Sequence, residues 1–576
     1  MKIFENVSSL KDATLRAGQL VETKGYYSPG DGGGGRYLIQ DTATPDEYVD
    51  HTLASGTFAI LQHNGTINVK QAGCTGVTDD RDNLNALPIT DIVIDFNVDV
   101  IIASGTGGIG VDWNGASNLI ITGRGIIIVP DSSGLARPFV IRNSTNVKVS
   151  GVTFRCEETG ANPVNGLDIM NSSGVTVDGC TFDSCTFYGL GVYQDTIDSV
   201  DGKCDDILIV NNIFKDVGTI ACEVFPKVKS NVCTIHNNTF TNCGVNVIGS
   251  GTGQAIKCGQ GYERSVVSNN VIHNCGAVSS IAAGYWDDCE IINNVITESP
   301  RIGIAITVAV HALYSSASMQ SLRVMDNSIS RAAGTSTDPD VNIVAVDTIQ
   351  YDSVKGSILV DGNKSVNAYQ FLSARVGVDL ANVVVNNNTV FNCANLGIRT
   401  DDSVGGVLLS PIFSNNTFNN LGGKTLNTIA DLDIEQAEDP LVIGNTFIYS
   451  GEYALKLVSC TGNITCHKNS FLKGNVGAIA NRAAILIADS VANTYHVYSN
   501  SVMDSAWAAL ILGTSAAPTL KTADNACTKL VTTSTPTVVS DESTASGWAS
   551  HADAAITGYV TVREKGGTEI KLACIA

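Results

Sequence analysis

The segment DDILIVNNIFKD, residues 205–216, decides the fold. It contains a short alternating run typical of a strand, then an Asn turn, then a closing apolar residue. The same frame returns along the chain, in most cases after roughly 24 to 37 residues. The copies are SGVTF (150–154), DGCTF (178–182), VNNIF (210–214), HNNTF (236–240), SNNVI (268–272), INNVI (292–296), MDNSI (325–329), NNNTV (386–390), SNNTF (414–418), IGNTF (443–447), HKNSF (467–471) and YSNSV (498–502).

A repeat of this length with short strands predicts an all-β solenoid in which each strand lies beside its counterpart in the next rung, about 4.8 Å away. The fold expected is a right-handed parallel β-helix with an N-terminal cap and a small C-terminal β domain. The repeated Asn residues should then form a hydrogen-bonded ladder at one corner, where Asn also tolerates left-handed backbone. The predicted ladder is Asn212, Asn238, Asn270, Asn294, Asn327, Asn388, Asn416, Asn445, Asn469 and Asn500.

A second predicted column consists of cysteines three residues beyond the closing apolar position. Its members are Cys185, Cys243, Cys275 and Cys393. The 16 cysteines of the chain lack paired CxxC spacing, so we expect reduced thiols that pack as small apolar side chains.

Composition narrows the partners. The chain has 576 residues and a formal net charge of −21, which disfavours nucleic acid and anionic membranes as partners. The N-terminal sequence has no signal-peptide pattern, and no run of 18 apolar residues predicts membrane insertion. A glycan is easier to accommodate, and a few cations in a groove would still allow an acidic one.

Three regions are predicted. Residues 1–90 form the N-terminal cap, where Thr78 to Leu87 is expected to be a short helix covering the first rung. Residues 91–505 form the β-helix with the glycan-binding groove. Residues 506–576 lack the Asn phrase and alternate like exposed strands, which predicts a C-terminal β-rich domain for capping and trimerisation.

The cap also carries a family resemblance. The stretches GDGGGGRY (30–37) and GCTGVTDDRDNLNAL (73–87) resemble the start of bacteriophage tailspike capsule depolymerases and of the pectate-lyase-like β-helix superfamily. This resemblance implies a homotrimer on the virion, attached to other phage tail proteins and acting at the host cell surface. The implied activity is cleavage of a bacterial capsular or surface polysaccharide.

Candidate catalytic residues follow from aligning the strand after each ladder turn by its inward apolar pairs. These pairs are Leu167 and Ile169, Leu190 and Val192, Cys222 and Val224, Ile256 and Cys258, and Ile281 and Ala283. The outward residue between each pair gives the column Asp168, Gly191, Glu223, Lys257 and Ala282. Two carboxylates lie two rungs apart, roughly 9 to 10 Å between backbones, and an inverting glycosidase separates its carboxyls by about 6.5 to 9.5 Å. The glycine between them is expected to let a sugar approach.

The alternative interpretation is that Asp168 is solvated surface charge and that Glu223 and Lys257 form only a cross-strand ion pair. A second candidate is the loop cluster Tyr285, Trp286, Asp287 and Asp288, where aromatic faces would stack on sugars and the acids would act as catalysts. Its alternative is a wall that packs against a neighbouring subunit. Tyr193, Asp195, Lys257 and Arg301 complete the predicted substrate-binding residues.

The favoured function is glycosidic hydrolysis. Two alternatives remain: a lyase acting on a uronic acid polymer, with Tyr193, Lys257 or His273 as base and a cation to neutralise the carboxylate, and an adhesin without catalysis. No cofactor is expected, because the His residues lack paired metal-ligand spacing and no phosphate-binding loop is present. The sequence leaves Ca²⁺ open.

Overall fold

The structure, a computed structural model, describes most of the first 500 residues and isolated strands beyond them. The described ranges are 1–130, 133–157, 163–193, 204–225, 230–245, 253–258, 262–284, 288–309, 321–331, 339–346, 357–367, 369–376, 380–392, 396–401, 407–420, 430–450, 453–472, 483–488, 494–503, 508–512, 519–523, 530–532, 537–540, 556–563 and 569–575. The chain forms two compact units. The first contains Met1–Arg264 and Asn269–Ala277, and the second contains Ser265–Ser268 and Val278–Ala576.

The first unit begins with a five-stranded sheet, with strands Lys2–Phe4, Leu20–Thr23, Arg36–Gln40, His51–Thr52 and Phe58–Leu61. Helix Val7–Lys11 and the 3₁₀ helix Val69–Ala72 accompany it. Helix Arg81–Asn85 lies inside the segment predicted to be helical. Buried Leu84 of this helix accepts a hydrogen bond on its carbonyl from the indole Nε1 of Trp113, at 3.0 Å, so the helix covers the first rung as predicted.

Three parallel sheets follow in the first unit, and their strands alternate along the chain. Sheet A has strands Thr66–Asn68, Thr90–Phe96, Ser117–Gly123, Thr145–Ser150, Ser173–Asp178, Ile207–Val210 and Ser230–His236. Sheet B has strands Val100–Ile101, Ile126–Val129, Thr153–Cys156, Thr181–Asp183, Ile213–Lys215, Thr239–Thr241 and Val271–His273. Sheet C has strands Ile109–Asn114, Arg137–Arg142, Leu167–Met170, Tyr188–Tyr193, Ile220–Phe225 and Gln254–Cys258.

The second unit has the same three-sheet arrangement. Sheet D has strands Asp288–Ile292, Ser321–Met325, Ser357–Asp361, Val383–Asn386, Ile412–Ser414, Leu441–Ile443, Asn463–His467, Thr494–Tyr498, Thr519–Ala523, Thr537–Ser540, Ile556–Arg563 and Glu569–Ile575. Sheet E has strands Val295–Thr297, Ser328–Ser330, Lys364–Val366, Thr389–Phe391, Thr417–Asn419, Thr446–Ile448, Ser470–Leu472 and Ser501–Met503. Sheet F has strands Ser279–Gly284, Ile302–Ala309, Pro339–Val346, Gln370–Val376, Leu396–Asp401, Ala430–Glu435, Tyr453–Val458, Ala483–Ala488, Ala508–Leu512 and Leu530–Thr532.

Two further strand groups complete the description. A small parallel sheet contains Leu380–Ala381, Leu408–Leu409 and Ala437–Glu438, and strand Tyr262–Ser268 is divided between the two units. The parallel pairing continues past residue 505 and gives way to an antiparallel pair at Ile556–Arg563 and Glu569–Ile575. Each unit is therefore built as a parallel β-helix.

The predicted Asn ladder forms inside both units. In the first unit, Asn212 donates from its backbone N–H and from Nδ2 to Oδ1 of Asn238, and Asn238 does the same to Asn270. In the second unit the same double donation runs without a break, with every distance between 2.9 and 3.1 Å. The ladder residues there are Asn294, Asn327, Asn363, Asn388, Asn416, Asn445, Asn469 and Asn500.

Two details of the predicted ladder were wrong. Asn363 belongs to it, although its phrase DGNKS lacks the closing apolar residue that the repeat search required. The left-handed backbone also falls one residue earlier than predicted, for example at Asn387 with φ 53° and at Gly444 with φ 69°. The preceding residue makes the corner, and the ladder Asn is buried so that its amide can satisfy backbone groups.

The closing apolar residues and the cysteines form inward columns. Phe154, Phe182, Phe214 and Phe240 stack with ring centroids 4.7 to 5.2 Å apart and planes within 10° of parallel. Cys185, Cys243 and Cys275 are buried as predicted, and the backbone N–H of Cys243 donates to Cys275 Sγ at 3.2 Å. The described cysteines are buried and unpaired with one another as disulfides. Cys393 lies outside the described residues.

We predict that Asn388→Ala destabilises the protein by about 3 kcal/mol. The change removes the Nδ2 group that donates to the carbonyl of Val360 and to Asn416 Oδ1, and the Oδ1 that accepts from Asn363, and each buried group left unsatisfied costs about 1 to 3 kcal/mol. Denaturant unfolding of the second unit measures the loss. Asn387→Gly is the control, because this exposed left-handed position suits glycine and should change stability by less than about 0.5 kcal/mol. Equal losses for the two variants would contradict the ladder's role.

Candidate active site

Sheet C carries the predicted outward column, and its register agrees with the alignment of inward apolar pairs. Leu167 pairs with Leu190, Leu190 with Cys222, and Cys222 with Ile256. The residues one position further on are therefore in line, and they are Asp168, Gly191, Glu223 and Lys257. The predicted register is confirmed over these four rungs. Ala282 belongs to the second unit.

The alternative interpretation of Asp168 as solvated surface charge was wrong, and so was the expectation that the glycine leaves an opening for a sugar. Asp168 is 0% exposed and Glu223 is 6% exposed, although both side chains occupy outward positions. The space above Gly191 is filled, because a Cβ there would lie 2.6 Å from Tyr193 Cε1 and 2.7 Å from Asp168 Oδ1. Gly191 thus makes room for the ring of Tyr193 and the carboxylate of Asp168 rather than directly for a sugar.

Asp168 is held by neighbours on both sides. Asn165 Nδ2 donates to both carboxylate oxygens, at 2.9 Å each. Asn165 is itself fixed, since its Oδ1 accepts from the backbone N–H of Tyr188 at 3.3 Å and its N–H donates to the carbonyl of Ala136 at 3.0 Å. The carboxylate therefore has a defined orientation under the ring of Tyr193.

Burial raises the pKa of Asp168 from 3.8 to about 6. The hydrogen bonds from Asn165, the interaction with the Tyr193 phenol and the charge of Arg137 oppose this rise, and the charge of Glu223 adds to it. Burial also raises the pKa of the Tyr193 phenol well above its usual range, with the charge of Asp168 as the next cause. Asp168 can consequently hold a proton near neutral pH, while Tyr193 stays a phenol.

Glu223 has a different environment. Its Oε1 accepts a hydrogen bond from Lys257 Nζ at 2.7 Å, across directly paired strands. Tyr188 also interacts with this carboxylate: burial and then the charge of Glu223 raise the pKa of the Tyr188 phenol well above its usual range. Glu223 therefore contacts a cation directly, whereas Asp168 is held by the neutral amide of Asn165.

Two cation–aromatic pairs accompany the carboxylates. Arg137 Cζ lies 5.6 Å from the centroid of the Tyr193 ring, and Lys257 Nζ lies 5.3 Å from that of Phe225. Tyr193 and Phe225 are register partners in sheet C. Each carboxylate of the column thus has one phenol and one cation of its own, and we name these residues, with Asn165 and Gly191, the sheet C cluster.

The sequence alignment missed Asn165, Tyr188 and Arg137. Asn165 and Tyr188 lie three residues before Asp168 and Gly191, and Arg137 lies three residues before Val140, the register partner of Asp168. If the alignment of the strands is extended by three residues toward the N-terminus, Arg137, Asn165 and Tyr188 fall into one polar column. Phe225 was missed because it appeared to continue the apolar pattern of its strand.

The other predicted site residues are not part of the sheet C cluster as described. Tyr285, Trp286, Asp287 and Asp195 lie outside the described residues. Asp288 is not in a loop but is the first residue of strand Asp288–Ile292, where it accepts a hydrogen bond from Ser321 Oγ at 2.9 Å. It belongs to the second unit, as does exposed Arg301, which precedes strand Ile302–Ala309.

We predict that Gly191→Ala lowers activity about 100-fold without unfolding the protein. The new methyl group displaces the Tyr193 ring and the Asp168 carboxylate, and a shift of about 1 Å in a catalytic group costs on the order of 100-fold. Turnover together with the far-ultraviolet circular dichroism spectrum measures this effect. Full activity in the variant would show that the packing above Gly191 is irrelevant to function.

Among the described residues, no group of three or more His, Cys, Asp or Glu side chains is arranged to hold a metal ion. The helices in the described part of the chain are all too short or too polar to cross a membrane. The sheet C cluster itself offers one carboxyl with a raised pKa, one carboxylate paired with a lysine, two phenols and two cations.

Comparison with known proteins confirms the handedness of the fold. Residues 89–259 match the protein-family model described as "Right handed beta helix region". Together with the parallel ladders, this match shows an all-β right-handed parallel β-helix, as predicted. No curated protein sequence matches the chain.

Several similar structures are phage tailspikes or related enzymes. A tailspike protein, gp49 of Acinetobacter baumannii bacteriophage Fri1, a capsular polysaccharide depolymerase, is 14% identical over 86% of this chain and 75% of its own, with a TM-score of 0.32. The enzymatically active domain of tailspike protein 2 of bacteriophage CBA120 is 11% identical over 84% and 61%, with a TM-score of 0.33. Pantoea stewartii WceF, a glycan biofilm modifying enzyme, is 12% identical over 63% and 46%, with a TM-score of 0.34. Identities this low leave the function to the geometry of the site.

Proposed function

We propose that this right-handed parallel β-helix is a depolymerase that binds a bacterial capsular or surface polysaccharide and hydrolyses its glycosidic bonds. The observation that carries the proposal is the pair Asp168 and Glu223, two carboxyls of one outward column in contrasting environments. A buried carboxyl with a raised pKa that acts together with a second carboxylate is a typical arrangement for general acid–base catalysis in glycosidases.

In this mechanism Asp168 is the general acid and Glu223 the general base. Asp168, with its pKa raised to about 6, donates a proton to the leaving oxygen, and Glu223, paired with Lys257, accepts a proton from the attacking water. The two-rung separation, roughly 9 to 10 Å between backbones, favours inversion of the anomeric carbon. This mechanism requires the Tyr193 ring, which lies above Gly191 next to Asp168, to move aside when sugar binds, so that the substrate reaches Asp168 and can stack on the ring.

Elimination is less well supported at the sheet C cluster. A lyase needs a deprotonated base, but the raised pKa of the Tyr193 phenol keeps this group protonated, and Lys257 is engaged with Glu223. His273, the third base considered, is exposed on sheet B, whereas the carboxylates lie on sheet C. Hydrolysis requires neither a deprotonated phenol nor an unpaired lysine at the sheet C cluster.

A purely adhesive role would leave the burial of Asp168 without a purpose. Burying an ionisable group whose pKa is thereby raised destabilises the ionised form, and proteins retain such costs mainly at functional sites. This argument supports an enzyme over a passive binding protein.

The wider setting is proposed from the N-terminal resemblance. Residues 30–37 and 73–87 support a homotrimeric phage tailspike that joins other virion proteins and acts at the host cell surface. Residues 1–90, 91–505 and 506–576 would serve as cap, glycan-binding β-helix and trimerisation domain. Asp195, Tyr285, Trp286, Asp287, Asp288 and Arg301 are kept as a second proposed group of sugar-binding or catalytic residues.

The proposal is tested by incubating the protein with purified bacterial surface polysaccharides and following polymer length by size-exclusion chromatography. Shortened chains without new ultraviolet absorbance are expected from hydrolysis. An unsaturated product that absorbs in the ultraviolet would show that the protein cleaves by elimination and not by hydrolysis. If the polymers bind but keep their length, both cleavage mechanisms are excluded and the protein is an adhesin.

A further inference from the structure

We propose that Arg137 is a specificity-determining residue that binds a carboxylate of an acidic sugar in the polysaccharide. The inference rests on the proposed function, since it names the class of glycan that the sheet C cluster accepts. The glycan would contain a uronic acid or another sugar with a carboxylate near the bond that is cleaved.

Arg137 occupies a fixed place beside the catalytic pair. It begins strand Arg137–Arg142 of sheet C, three residues before Val140, whose register partner is Asp168. Its guanidinium lies over the Tyr193 ring, and its charge lowers the pKa of Asp168 against the effect of burial. The side chain is half-buried, so its head is held near the site rather than free in solvent.

The hydrogen-bonding groups of this guanidinium have no partner among the residues that the structure describes. Within the described part of the chain, the Arg137 side chain makes no hydrogen bond and no ion pair at contact distance, although a guanidinium carries five N–H donors. The other cation of the cluster, Lys257, is engaged with Glu223 at 2.7 Å. Arg142 of the same strand holds both oxygens of Asp112 at 2.8 Å, which shows the bidentate pairing that Arg137 lacks.

The charge of the cluster favours an anion at this place. When Asp168 carries the proton needed for catalysis, two cations face the single negative charge of Glu223, in a chain whose net charge is −21. The cluster then has an excess of one positive charge, and the planar guanidinium of Arg137 offers its fork of N–H donors beside it. A carboxylate matches that fork with two parallel hydrogen bonds, which a neutral hydroxyl does not.

The test compares two forms of one substrate. A uronic-acid-containing bacterial capsular polysaccharide that the protein cleaves is reduced chemically, so that each carboxylate becomes a primary alcohol. We expect kcat/KM of the wild-type protein to fall about 10- to 100-fold on the reduced polymer, the range for losing a hydrogen-bonded charge. Arg137→Ala should lose a similar factor on the native polymer and little more on the reduced one.

Arg155→Ala is the matched control, because this arginine lies on sheet B and pairs with Asp183 at 3.4 Å, so its loss should leave both rates unchanged. Wild-type rates that are equal on the two polymers would overturn the inference. So would an Arg137→Ala variant that weakens both reactions equally, because that result assigns Arg137 only to tuning Asp168.

Failure of the proposed function is distinguishable from failure of this inference. Affinity electrophoresis with the same two polymers measures binding without cleavage. If neither polymer is shortened, retardation of the wild-type protein by the native polymer alone, lost in Arg137→Ala, would still support the acidic-sugar site. Equal retardation by both polymers would refute it.

Discussion

Glu223→Gln is expected to lower kcat for polysaccharide cleavage about 1000-fold. Glutamine keeps the size of the side chain and an oxygen that accepts from Lys257 Nζ, but it cannot remove a proton from water. General acid–base catalysis by one positioned group contributes about 100- to 10,000-fold, so most of the rate should vanish while substrate binding remains. Initial rates of reducing-end formation, with binding measured separately, check this expectation.

The control for Glu223→Gln is Glu435→Gln in the second unit. Glu435 also pairs with a lysine, Lys456, at 3.0 Å, on sheet F. The Glu435→Gln variant measures how much stability is lost when a carboxylate bound to lysine is removed away from the sheet C cluster. The activity per folded molecule of this variant should be unchanged. If Glu223→Gln behaved like Glu435→Gln, Glu223 would be only half of a cross-strand ion pair.

Asp168→Asn is expected to remove activity and at the same time to stabilise the protein above pH 6. The wild-type pKa of Asp168 is raised from 3.8 to about 6, so the folded state binds the proton more tightly than the unfolded state. This contribution to stability is complete below pH 3.8 and is lost as pH rises through about 6, a loss of about 3 kcal/mol for a shift of roughly two pKa units. Asparagine does not titrate and avoids the loss.

Thermal unfolding of the two proteins across the pH range measures this difference. The advantage of Asp168→Asn should be smallest near pH 4, grow toward pH 6 and then level off. Wild-type activity should decline above pH 6 as the general acid loses its proton. A variant that is less stable than wild type at pH 8 would show that the buried carboxylate is well compensated, and retained cleavage would remove Asp168 from the mechanism.

The fold was predictable because the repeat constrains every rung in the same way. A buried Asn whose side chain and N–H make six hydrogen bonds, such as Asn388, cannot be replaced without a large loss of stability, so the phrase that contains it returns wherever the corner recurs. Period-two alternation then fixes which neighbours point outward, and this placed Asp168 and Glu223 in one column. Asn363 was missed because Ser365 stands where the repeat search required a closing apolar residue.

The environment of the column was not predictable from alternation. Outward position is a property of the backbone, whereas burial of Asp168 depends on where Tyr193 and Asn165 direct their side chains. The glycine that suggested an opening is filled by these neighbours. The second candidate region, 285–288, was chosen from residue type alone, and the strand that begins at Asp288 shows how little composition says about local structure.

The measurement that tests the central claim most directly is cleavage in water enriched in ¹⁸O, followed by mass spectrometry of the fragments. Hydrolysis by Asp168 and Glu223 predicts one ¹⁸O atom in each newly formed reducing end, and labelled ends that form about 1000-fold more slowly with Glu223→Gln and are lost with Asp168→Asn. Fragments without ¹⁸O that have lost the elements of water relative to hydrolysis products would contradict it, as would labelled fragments at the wild-type rate from either variant.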